Sequence, residues 1–448
     1  MLIKVLSLTY CLLELTTYID KTTALDPINP RVKGTPSVIG VVTDPYLNRD
    51  SCGSTKFGSR ALWVCRDTNV FNATLPIICN SASWTDLPSR GGGTSLNMYG
   101  DNKWRSFYPL VPHNCDGESG RPGNQAGGCP GSSRYPHWPS SPPLVASDDG
   151  NTAIAYTWIS NTHLKPHSLD AYDYDPSTAL YRVTYKYGSD KGSLPKAELV
   201  NPTFWSKNDY SYGLAGGVVR KNVAYLWGQD SQGKMALARV SAQSIENSAS
   251  YEFFVGGTWT KKKPVVFDKA ASIENVSAGG QGTYYWSEHW QSYVWIGQSS
   301  PSIHAYFYIT TAPKPEGPWA KPSYFYSGEN GNGIFPAYSI QAHPGFSDPA
   351  KNEIYVTYTK CDDRPYDGYS TPLIRIEWES ISPKGSTGCS GKYQNENGWC
   401  WRYCNGTSGR WCYTRKDCLS KEYVCDSMSK CTGLSCDIAD EGCVKDCP

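Results

Sequence analysis

The stretch NRDSCGSTKFGSRALWVCRDT (residues 48–68) contains the dipeptide Arg-Asp twice, and two cysteines and a Gly-Ser pair separate the copies. Gly58-Ser59 matches a two-residue hairpin loop with glycine first, as a type II′ turn requires. In such a hairpin Phe57 faces Arg60, and the numbers of every opposed pair add to 117. The stretch therefore predicts an antiparallel β-hairpin with a defined register.

This register brings two further pairs of residues together. Cys52 faces Cys65, close enough for a disulfide across the strands. Two residues further from the turn, Asp50 faces Asp67. Because side chains alternate along a strand, the two aspartates are expected on the same sheet face as the cysteines, with Cβ atoms about 5 Å apart.

Two carboxyl groups this close cannot ionise independently, so one becomes a proton donor while the other stays charged. Retaining glycoside hydrolysis uses such a pair, at a separation of about 5 to 5.5 Å. Asp50 and Asp67 are therefore the candidate catalytic residues, without a choice of nucleophile and acid/base. Arg49 and Arg66 are candidate substrate-binding residues if they bend towards the pair. Alternatively, Asp67 caps a turn and Asp50 pairs with a neighbouring arginine.

Short β-like runs with aromatic and β-branched residues continue along the chain, and no long amphipathic helix is evident. They form five similar units that begin near Asp50, Leu144, Gly213, Gln281 and Phe335. A β-sandwich would need fewer strands and a shorter chain. The sequence therefore predicts an all-β protein, with residues 25–379 forming a five-bladed β-propeller.

The N-terminal 24 residues are typical of a secretory signal peptide, with Lys4 followed by an apolar run and small residues. Of seventeen cysteines, sixteen remain once Cys11 is removed, which suits a fully disulfide-bonded, secreted, extracellular protein. Glycosylation sequons at Asn72, Asn275 and Asn405 agree with this route. No later stretch is apolar enough to predict a membrane span.

After a linker at residues 380–388, the composition changes, and residues 389–448 contain ten cysteines. This segment has no histidine and no C-x-x-C, which argues against a zinc module. A five-disulfide mini-domain is predicted instead, because so small a segment cannot otherwise build a core. Its aromatic residues could form a platform for sugars or the core of the mini-domain; they are Trp399, Trp401, Tyr403, Trp411 and Tyr413.

The charge is nearly balanced, at +1, which argues against nucleic acid or an anionic membrane as the main partner. Tyrosine (32) and tryptophan (16) outnumber phenylalanine (11), and such rings either pack sheets or stack on sugars. Motifs for a serine nucleophile elbow, a phosphate-binding loop and an H-E-x-x-H zinc helix are absent. No metal or other cofactor is predicted.

Four further residues could line the mouth of a propeller as substrate-binding groups: His137, Trp138, Gln281 and His343. Each could equally be a loop or packing residue. Glu288, in the predicted turn of YWSEHWQ, could be a third carboxylate, although exposed turn glutamates are common.

Four motifs resemble a family of secreted five-bladed propellers that includes endo-D-arabinanases: RDSCGSTKFGSRALWVCRDT, GGQGTYYWSEHWQSYVWIG, TAPKPEGPW and FPAYSIQAHPGF. The resemblance spans residues 38–379 and excludes the cysteine-rich tail. It implies glycoside hydrolysis at the channel mouth by a carboxylate pair, which corresponds here to Asp50 and Asp67.

These observations favour a secreted glycoside hydrolase that cleaves a carbohydrate polymer, arabinan-like by the resemblance, through a retaining mechanism. A non-catalytic, lectin-like propeller that binds glycans or a host surface is the alternative. In a third hypothesis the cysteine-rich tail is the active module, similar to a toxin or inhibitor, and the propeller only presents it.

Overall fold

The computed structural model describes most of the chain between residues 26 and 379 and five short strands beyond it. The described ranges are 26–71, 77–88, 95–100, 105–112, 114–117, 124–363 and 368–379. The predicted signal peptide, the sequons at Asn72 and Asn405 and residues 380–386 of the predicted linker are not described, whereas the last two linker residues belong to a short strand. The sequon at Asn275 is exposed, in the turn before the fourth blade.

Twenty-three strands account for the propeller and its connections. The first seven are β1 (Ser37–Thr43), β2 (Leu47–Arg49), β3 (Gly53–Phe57), β4 (Arg60–Cys65), β5 (Thr68–Val70), β6 (Ser81–Asp86) and β7 (Leu96–Asn97). The next nine are β8 (Leu144–Asp148), β9 (Thr152–Ser160), β10 (Thr178–Lys186), β11 (Lys196–Trp205), β12 (Gly216–Arg220), β13 (Val223–Gln229), β14 (Met235–Ser241), β15 (Glu252–Val255) and β16 (Thr258–Thr260). The last seven are β17 (Gly279–Ser287), β18 (Ser292–Ser299), β19 (Tyr306–Ala312), β20 (Ser323–Ser327), β21 (Ala337–Ala342), β22 (Glu353–Cys361) and β23 (Tyr369–Glu377).

Helical structure in the described residues is limited to single 3₁₀ turns. They are Asn114–Gly117, Pro130–Ser132, Ala242–Ser244, Ser248–Ser250, Lys269–Ala271 and Pro344–Phe346. Over the same residues, no helix is long and apolar enough to cross a membrane.

Apart from β2 and β5, which pair with each other, the strands form five mainly antiparallel sheets, which are the blades of a five-bladed β-propeller, as the sequence predicted. Blade 1 is β3-β4-β6, blade 2 is β8 to β11, blade 3 is β12 to β16, blade 4 is β17 to β20, and blade 5 is β21-β22-β23-β1 with β7 at its edge. The first strand of each blade is its inner strand, next to the central axis. These inner strands are β3, β8, β12, β17 and β21.

The ring is closed by pairing the two ends of the propeller segment. Strand β1 runs antiparallel to β23, with Ser37 opposite Arg375 and Val42 opposite Thr371. It also pairs in parallel with β7, which follows blade 1. Blade 5 is therefore built from both ends of the segment, and its closure joins the last blade to the first.

Five clusters of buried hydrophobic side chains fill the spaces between neighbouring blades. Six tryptophans are less than 2% exposed: Trp63, Trp84, Trp158, Trp205, Trp227 and Trp295. Trp227 of blade 3 stacks on Tyr284 of blade 4 with ring centroids 4.1 Å apart. Most of the large rings thus pack one sheet against the next, and the high aromatic content is mainly a feature of the core.

The first hairpin forms in the predicted register. Phe57 pairs with Arg60 and Gly53 with Val64, and Gly58 in the turn adopts a φ of 59°, which favours glycine. Beyond the hairpin β2 pairs with β5 in the same register. Between the two ladders Ser51 has a left-handed φ of 50°. The regular alternation of side chains is therefore interrupted next to Asp50.

Cys52 and Cys65 form the predicted disulfide, with Cα atoms 4.1 Å apart. Cys115 and Cys129 form a second one. Full pairing of all sixteen cysteines was wrong, because Cys79 and Cys361 are free thiols. Cys79 is enclosed next to Asn80 and Ser106, whose side chains lie 3.5 Å from its sulfur.

Removing the first disulfide is expected to loosen the pairing next to it. The Cys52→Ser/Cys65→Ser variant should lose about 3 kcal/mol of unfolding free energy, as expected for a closed loop of this order. Hydrogen exchange should also quicken at the Asp50 amide, which donates to the Asp67 carbonyl over 2.9 Å. The matched control is Cys115→Ser/Cys129→Ser, whose sequence separation of 14 is close to the 13 of the first pair. Equal Asp50 protection in both variants would contradict this prediction.

Beyond the propeller the structure describes only five short strands. They are β24 (Thr387–Cys389), β25 (Gly398–Tyr403), β26 (Trp411–Arg415), β27 (Val424–Cys425) and β28 (Ser435–Cys436). β25 lies between β24 and β26 and also pairs with β27, while β26 pairs with β28. The disulfide connectivity and the aromatic side chains predicted for this segment lie outside the described residues.

Candidate active site

Residues that precede or begin the inner strands come together at one end of the central axis. Ser51, just before β3, has its hydroxyl 2.7 Å from that of Ser339 in β21. The Ser339 hydroxyl donates to Gln281 Oε1 in β17, and Gln281 Nε2 donates to the carbonyl of Ser140, ahead of β8, both over 2.7 Å. We call this end of the axis the mouth. It draws on blades 1, 2, 4 and 5.

Asp50 lies at the mouth and is half-buried. One carboxyl oxygen is 2.6 Å from the Ser51 hydroxyl, and the Tyr338 hydroxyl also bonds to the carboxyl group. Burial is the largest influence and raises the pKa of Asp50 above its ordinary value, although Ser51, Arg66 and Tyr338 act in the opposite direction. Burial therefore favours the neutral form of the Asp50 carboxyl group.

Asp67 follows the hairpin partner strand and has a different environment. Arg134 approaches it with two guanidinium nitrogens, one on each carboxylate oxygen, with 2.8 Å between Nη1 and Oδ2. Trp138 Nε1 donates to Oδ1 over 2.8 Å. This arrangement is a bidentate ion pair, which fixes the plane of a charged carboxylate. The Asp67 side chain is 20% exposed, so the carboxylate can be reached from the mouth.

Three contacts link Asp50 to Gln281, and the number of hydrogens that they need depends on whether Asp50 is protonated. Gln281 Oε1 can only accept, because Nε2 of the same amide is directed at the Ser140 carbonyl. The contacts Asp50–Ser51, Ser51–Ser339 and Ser339–Gln281 each need one hydrogen, but the two hydroxyls supply only two. A protonated Asp50 supplies the third hydrogen, whereas an ionised Asp50, which accepts from Ser51, leaves the Ser51–Ser339 contact without one. The chain is fully satisfied when the Asp50 carboxyl group is protonated and donates to Ser51.

Arg66 stands between the two aspartates in sequence and space. Its Nη2 and Nε lie 3.3 Å from the Ser140 hydroxyl and the Pro139 carbonyl, and its guanidinium is 6.0 Å from the centre of the Trp138 ring. It also lines a cavity of about 180 Å³ between the mouth and blades 3 and 4. Arg66 is therefore part of the mouth, as its prediction as a substrate-binding residue requires.

Arg49 is not at the mouth, which corrects its prediction as a substrate-binding residue. Its side chain is only 3% exposed and forms an ion pair with Asp44, 2.8 Å away. It also donates to the hydroxyls of Ser81 and Ser83 over 2.6 and 2.7 Å. Strand β2 keeps its regular pairing, so Arg49 points away from Asp50 and ties β2 to β6.

Both predicted histidines are core residues, which corrects their prediction as substrate-binding groups. His343 is 1% exposed, bonds to Ser54 and Thr357 over 2.7 Å each and stacks on Phe346. Burial lowers its pKa to about 3. His137 is fully buried, and burial lowers its pKa to about 4. Both rings are therefore neutral near pH 7 and inaccessible to a substrate.

The other predicted residues divide between the two ends of the axis. Trp138 is half-buried at the mouth, where it bonds to Asp67, and Gln281 joins Ser140 to Ser339. Glu288 lies at the other end, because it follows the end of inner strand β17, whereas Asp50 precedes the start of β3. Glu288 is exposed and accepts from Gln291, and it is not a third carboxylate at the mouth.

Six contributors to the mouth were not predicted: Ser51, Arg134, Ser140, Tyr338, Ser339 and Tyr369, whose hydroxyl bonds to that of Tyr338. Tyr338 and Ser339 belong to the motif FPAYSIQAHPGF, at the start of the fifth unit, as Asp50 and Ser51 stand at the start of the first. That equivalence was the available signal. Arg134 follows a 3₁₀ turn in a long connection, where no pattern marks it.

In the described part of the chain, no three His, Cys, Asp or Glu side chains are arranged to hold a metal ion. The polar groups of the mouth are carboxyl, hydroxyl, amide and guanidinium groups, which suit hydroxyl-rich ligands.

Comparison with known proteins shows similarity in structure but not in sequence. No protein-family model and no curated protein matches the sequence. A candidate hydrolase from Bacteroides ovatus has a TM-score of 0.51 and 15% identity, and the match covers 73% of this chain and 85% of that one. A candidate exo-β-1,3-galactanase from Bifidobacterium bifidum has a TM-score of 0.42 and 10% identity, and the match covers 79% of this chain and 93% of that one. An exo-β-1,3-galactanase from Phanerochaete chrysosporium, with β-1,3-galactotriose, has a TM-score of 0.40 and 12% identity. That match covers 86% of this chain and 72% of the other.

At 15% identity the Bacteroides ovatus structure supports a common fold and no more. The resemblance to the family that includes endo-D-arabinanases stays a prediction. The arrangement at the mouth consists of a carboxyl group whose pKa is raised by burial, an ion-paired carboxylate and a polar rim built from four blades.

Proposed function

We propose that the protein is a glycoside hydrolase that cleaves a glycan at the mouth by a retaining mechanism with two carboxyl groups. The observation that carries the proposal is that Asp50, whose pKa is raised by burial, neighbours the ion-paired Asp67 across the ladder. When the environments of two neighbouring carboxyl groups differ in this way, one can serve as acid and the other as nucleophile. The shared fold with a protein named as a candidate hydrolase agrees with this proposal.

In the first step a carboxylate oxygen of Asp67 attacks the anomeric carbon, and the bond to the leaving-group oxygen breaks. That oxygen takes the proton of Asp50. The covalent glycosyl ester on Asp67 is then hydrolysed by a water molecule, whose proton returns to Asp50. Both side chains regain their starting states, and the configuration at the anomeric carbon is retained.

The positions of the two residues support this division of roles. The Asp50 amide donates to the Asp67 carbonyl over 2.9 Å and the Asp50 carbonyl accepts from the Arg66 amide over 2.8 Å, so Asp50 and Asp67 are neighbours across the ladder. Arg134 and Trp138 hold the Asp67 carboxylate in one orientation, which favours attack along one direction. Tyr338, whose hydroxyl forms a hydrogen bond with the Asp50 carboxyl group, places a hydroxyl group next to the acid at the mouth.

The predicted signal peptide and the two disulfides support export, so the substrate is expected outside the cell. A panel of polysaccharides that includes arabinans, galactans and acidic polymers tests the function, with product analysis by proton NMR. A first-formed product with the same anomeric configuration as the substrate supports the retaining mechanism. An inverted first product would exclude it, and binding without products would indicate the lectin-like alternative.

The Ser339→Ala variant tests whether the chain of hydrogen bonds from Gln281 to Asp50 favours the protonated form of Asp50. Without the Ser339 hydroxyl, Ser51 is free to donate its hydrogen to an ionised Asp50 carboxylate. Stabilising the charged form lowers the pKa, so the alkaline limb of the kcat/KM profile should move to lower pH. On the acidic side of that limb the rate should change less than about threefold, because the acid itself remains.

Ser54→Ala is the matched control for this pH profile. It removes a buried hydroxyl of the same inner region, which bonds to His343 and takes no part in the chain to Asp50. Its alkaline limb should coincide with that of the wild type. A Ser339→Ala limb that does not move, or moves to higher pH, would contradict the hydrogen count.

A further inference from the structure

Arg66 is a cation without a charged partner at the mouth. Among the described residues no carboxylate oxygen lies within 4.0 Å of its guanidinium, and the contacts it makes are two bonds of 3.3 Å to neutral oxygens. Asp67, the nearest charged carboxylate in sequence, is already paired with Arg134. A desolvated cation is costly unless an anion compensates for it, so an unpaired guanidinium here requires an explanation.

The charge balance of the mouth supports this view. The groups that act electrostatically on Arg66 are Asp50, Tyr338 and Asp67. With Asp50 protonated and Tyr338 neutral, the remaining charges are two guanidiniums against one carboxylate. Burial also lowers the pKa of Arg66. With Asp50 neutral, as the proposed function requires, the mouth has one positive charge more than it neutralises.

The cavity next to Arg66 has the size and lining of a site for one substituent. Its volume is about 180 Å³. That is enough for one substituent or a single small ring, but not for an oligosaccharide. Polar side chains line it together with an apolar floor: Arg66, Ser140, Gln229, Ser277, Gln281 and Trp295.

We propose that this cavity binds a negatively charged substituent, a carboxylate or a sulfate, of the sugar residue that is bound at the mouth. The inference rests on the proposed function for the position of the sugar. Arg66 provides planar donors that match a carboxylate or sulfate, and the Trp138 face packs near the same guanidinium. Such a substrate differs from unsubstituted arabinan by its charge.

Calorimetric titration of the Asp50→Asn variant tests the proposal without turnover, since asparagine is neutral like the protonated acid. The probes are methyl glycosides of glucuronic and galacturonic acid, those of glucose and galactose, and galactose 6-sulfate. We expect at least one acidic probe to bind about 10- to 100-fold tighter than its neutral counterpart, as hydrogen bonds between charged groups allow. The ranking of uronate and sulfate identifies the substituent.

Adding Arg66→Gln to this background should abolish the preference, and Arg66→Lys should keep part of it. The control is Arg220→Gln, which removes an arginine that lies over Trp286, 3.6 Å from the ring centre, at the other end of the axis. It should keep the full preference. If Arg66→Gln does not fold, Arg66→Lys and the loss of preference with added salt provide the same test.

Equal binding of acidic and neutral probes, or a preference that survives Arg66→Gln, would overturn the anion site. This result is separate from the test of the function. Wild-type hydrolysis of neutral glycans without any acidic preference removes the anion site and leaves the hydrolase. Acidic preference without hydrolysis of any glycan leaves the site and removes the hydrolase.

Discussion

Asp67→Asn is expected to lower kcat by about 10⁴-fold or more on any glycan that the wild-type protein hydrolyses, because an amide cannot form the glycosyl ester. The variant should still fold and bind, since Arg134 and Trp138 can bond to the amide oxygen. Initial rates with a sensitive reducing-sugar assay measure the loss. The effect should be similar for all leaving groups.

The role of Asp67 as nucleophile has a sharper test in Asp67→Gly. Removing the side chain leaves a space next to the anomeric carbon, which azide or formate can fill. We expect added azide to restore turnover and to give a glycosyl azide of inverted configuration. Asp209→Asn is the control, because Asp209 is also an aspartate in an ion pair, with Lys263, but lies away from the mouth. Wild-type rates in Asp67→Asn would exclude the nucleophile assignment.

Asp50→Asn is expected to lower kcat by about 10²- to 10⁴-fold, the range of general acid catalysis. The loss should depend on the leaving group. Glycosides of nitrophenol need little protonation as the bond breaks, so they should retain most of the first step. Comparing an activated with an unactivated glycoside in both variants separates the acid from the nucleophile. Equal losses on both substrates would contradict the assignment of Asp50 as the acid.

The same substitution should stabilise the fold at neutral pH. Burial raises the pKa of Asp50 above its ordinary value of 3.8, so the folded protein holds this proton more tightly than the unfolded chain does. The stability that this provides is complete below pH 3.8 and is lost as the pH rises through the folded-state pKa. Asparagine removes that loss, so its Tm should exceed the wild-type value near pH 7 and equal it below pH 3.8. A lower Tm at neutral pH would contradict this expectation.

The part of the site that the sequence predicted is the part that local rules determine. The Gly58-Ser59 turn sets the register of β3 and β4, so the opposition of Cys52 and Cys65 follows from residue numbers alone. The register even continues beyond the hairpin, into the pairing of β2 with β5. The order of the blades follows similarly from the repeated pattern of strands and turns.

Contacts between blades could not be predicted in this way. Ser51 and Ser339 are 288 residues apart, and no local pattern indicates that their hydroxyls meet. Arg134 reaches Asp67 from a long connection. The opposite error concerns His343, which stands in a motif but points into the core, where Ser54 and Thr357 satisfy it. The sequence shows that such a residue is polar, but it does not show whether the side chain faces the core or the mouth.

The pairing of β1 with β23 also has a consequence for synthesis of the protein. Strand β1 leaves the ribosome early, but its partner Arg375 follows Ser37 only after almost the whole propeller has been translated. Until then Ser339 has no fixed position against Ser51, and Asp50 lacks the contacts that keep it protonated. The catalytic groups are therefore expected to come together only after β23 has paired with β1.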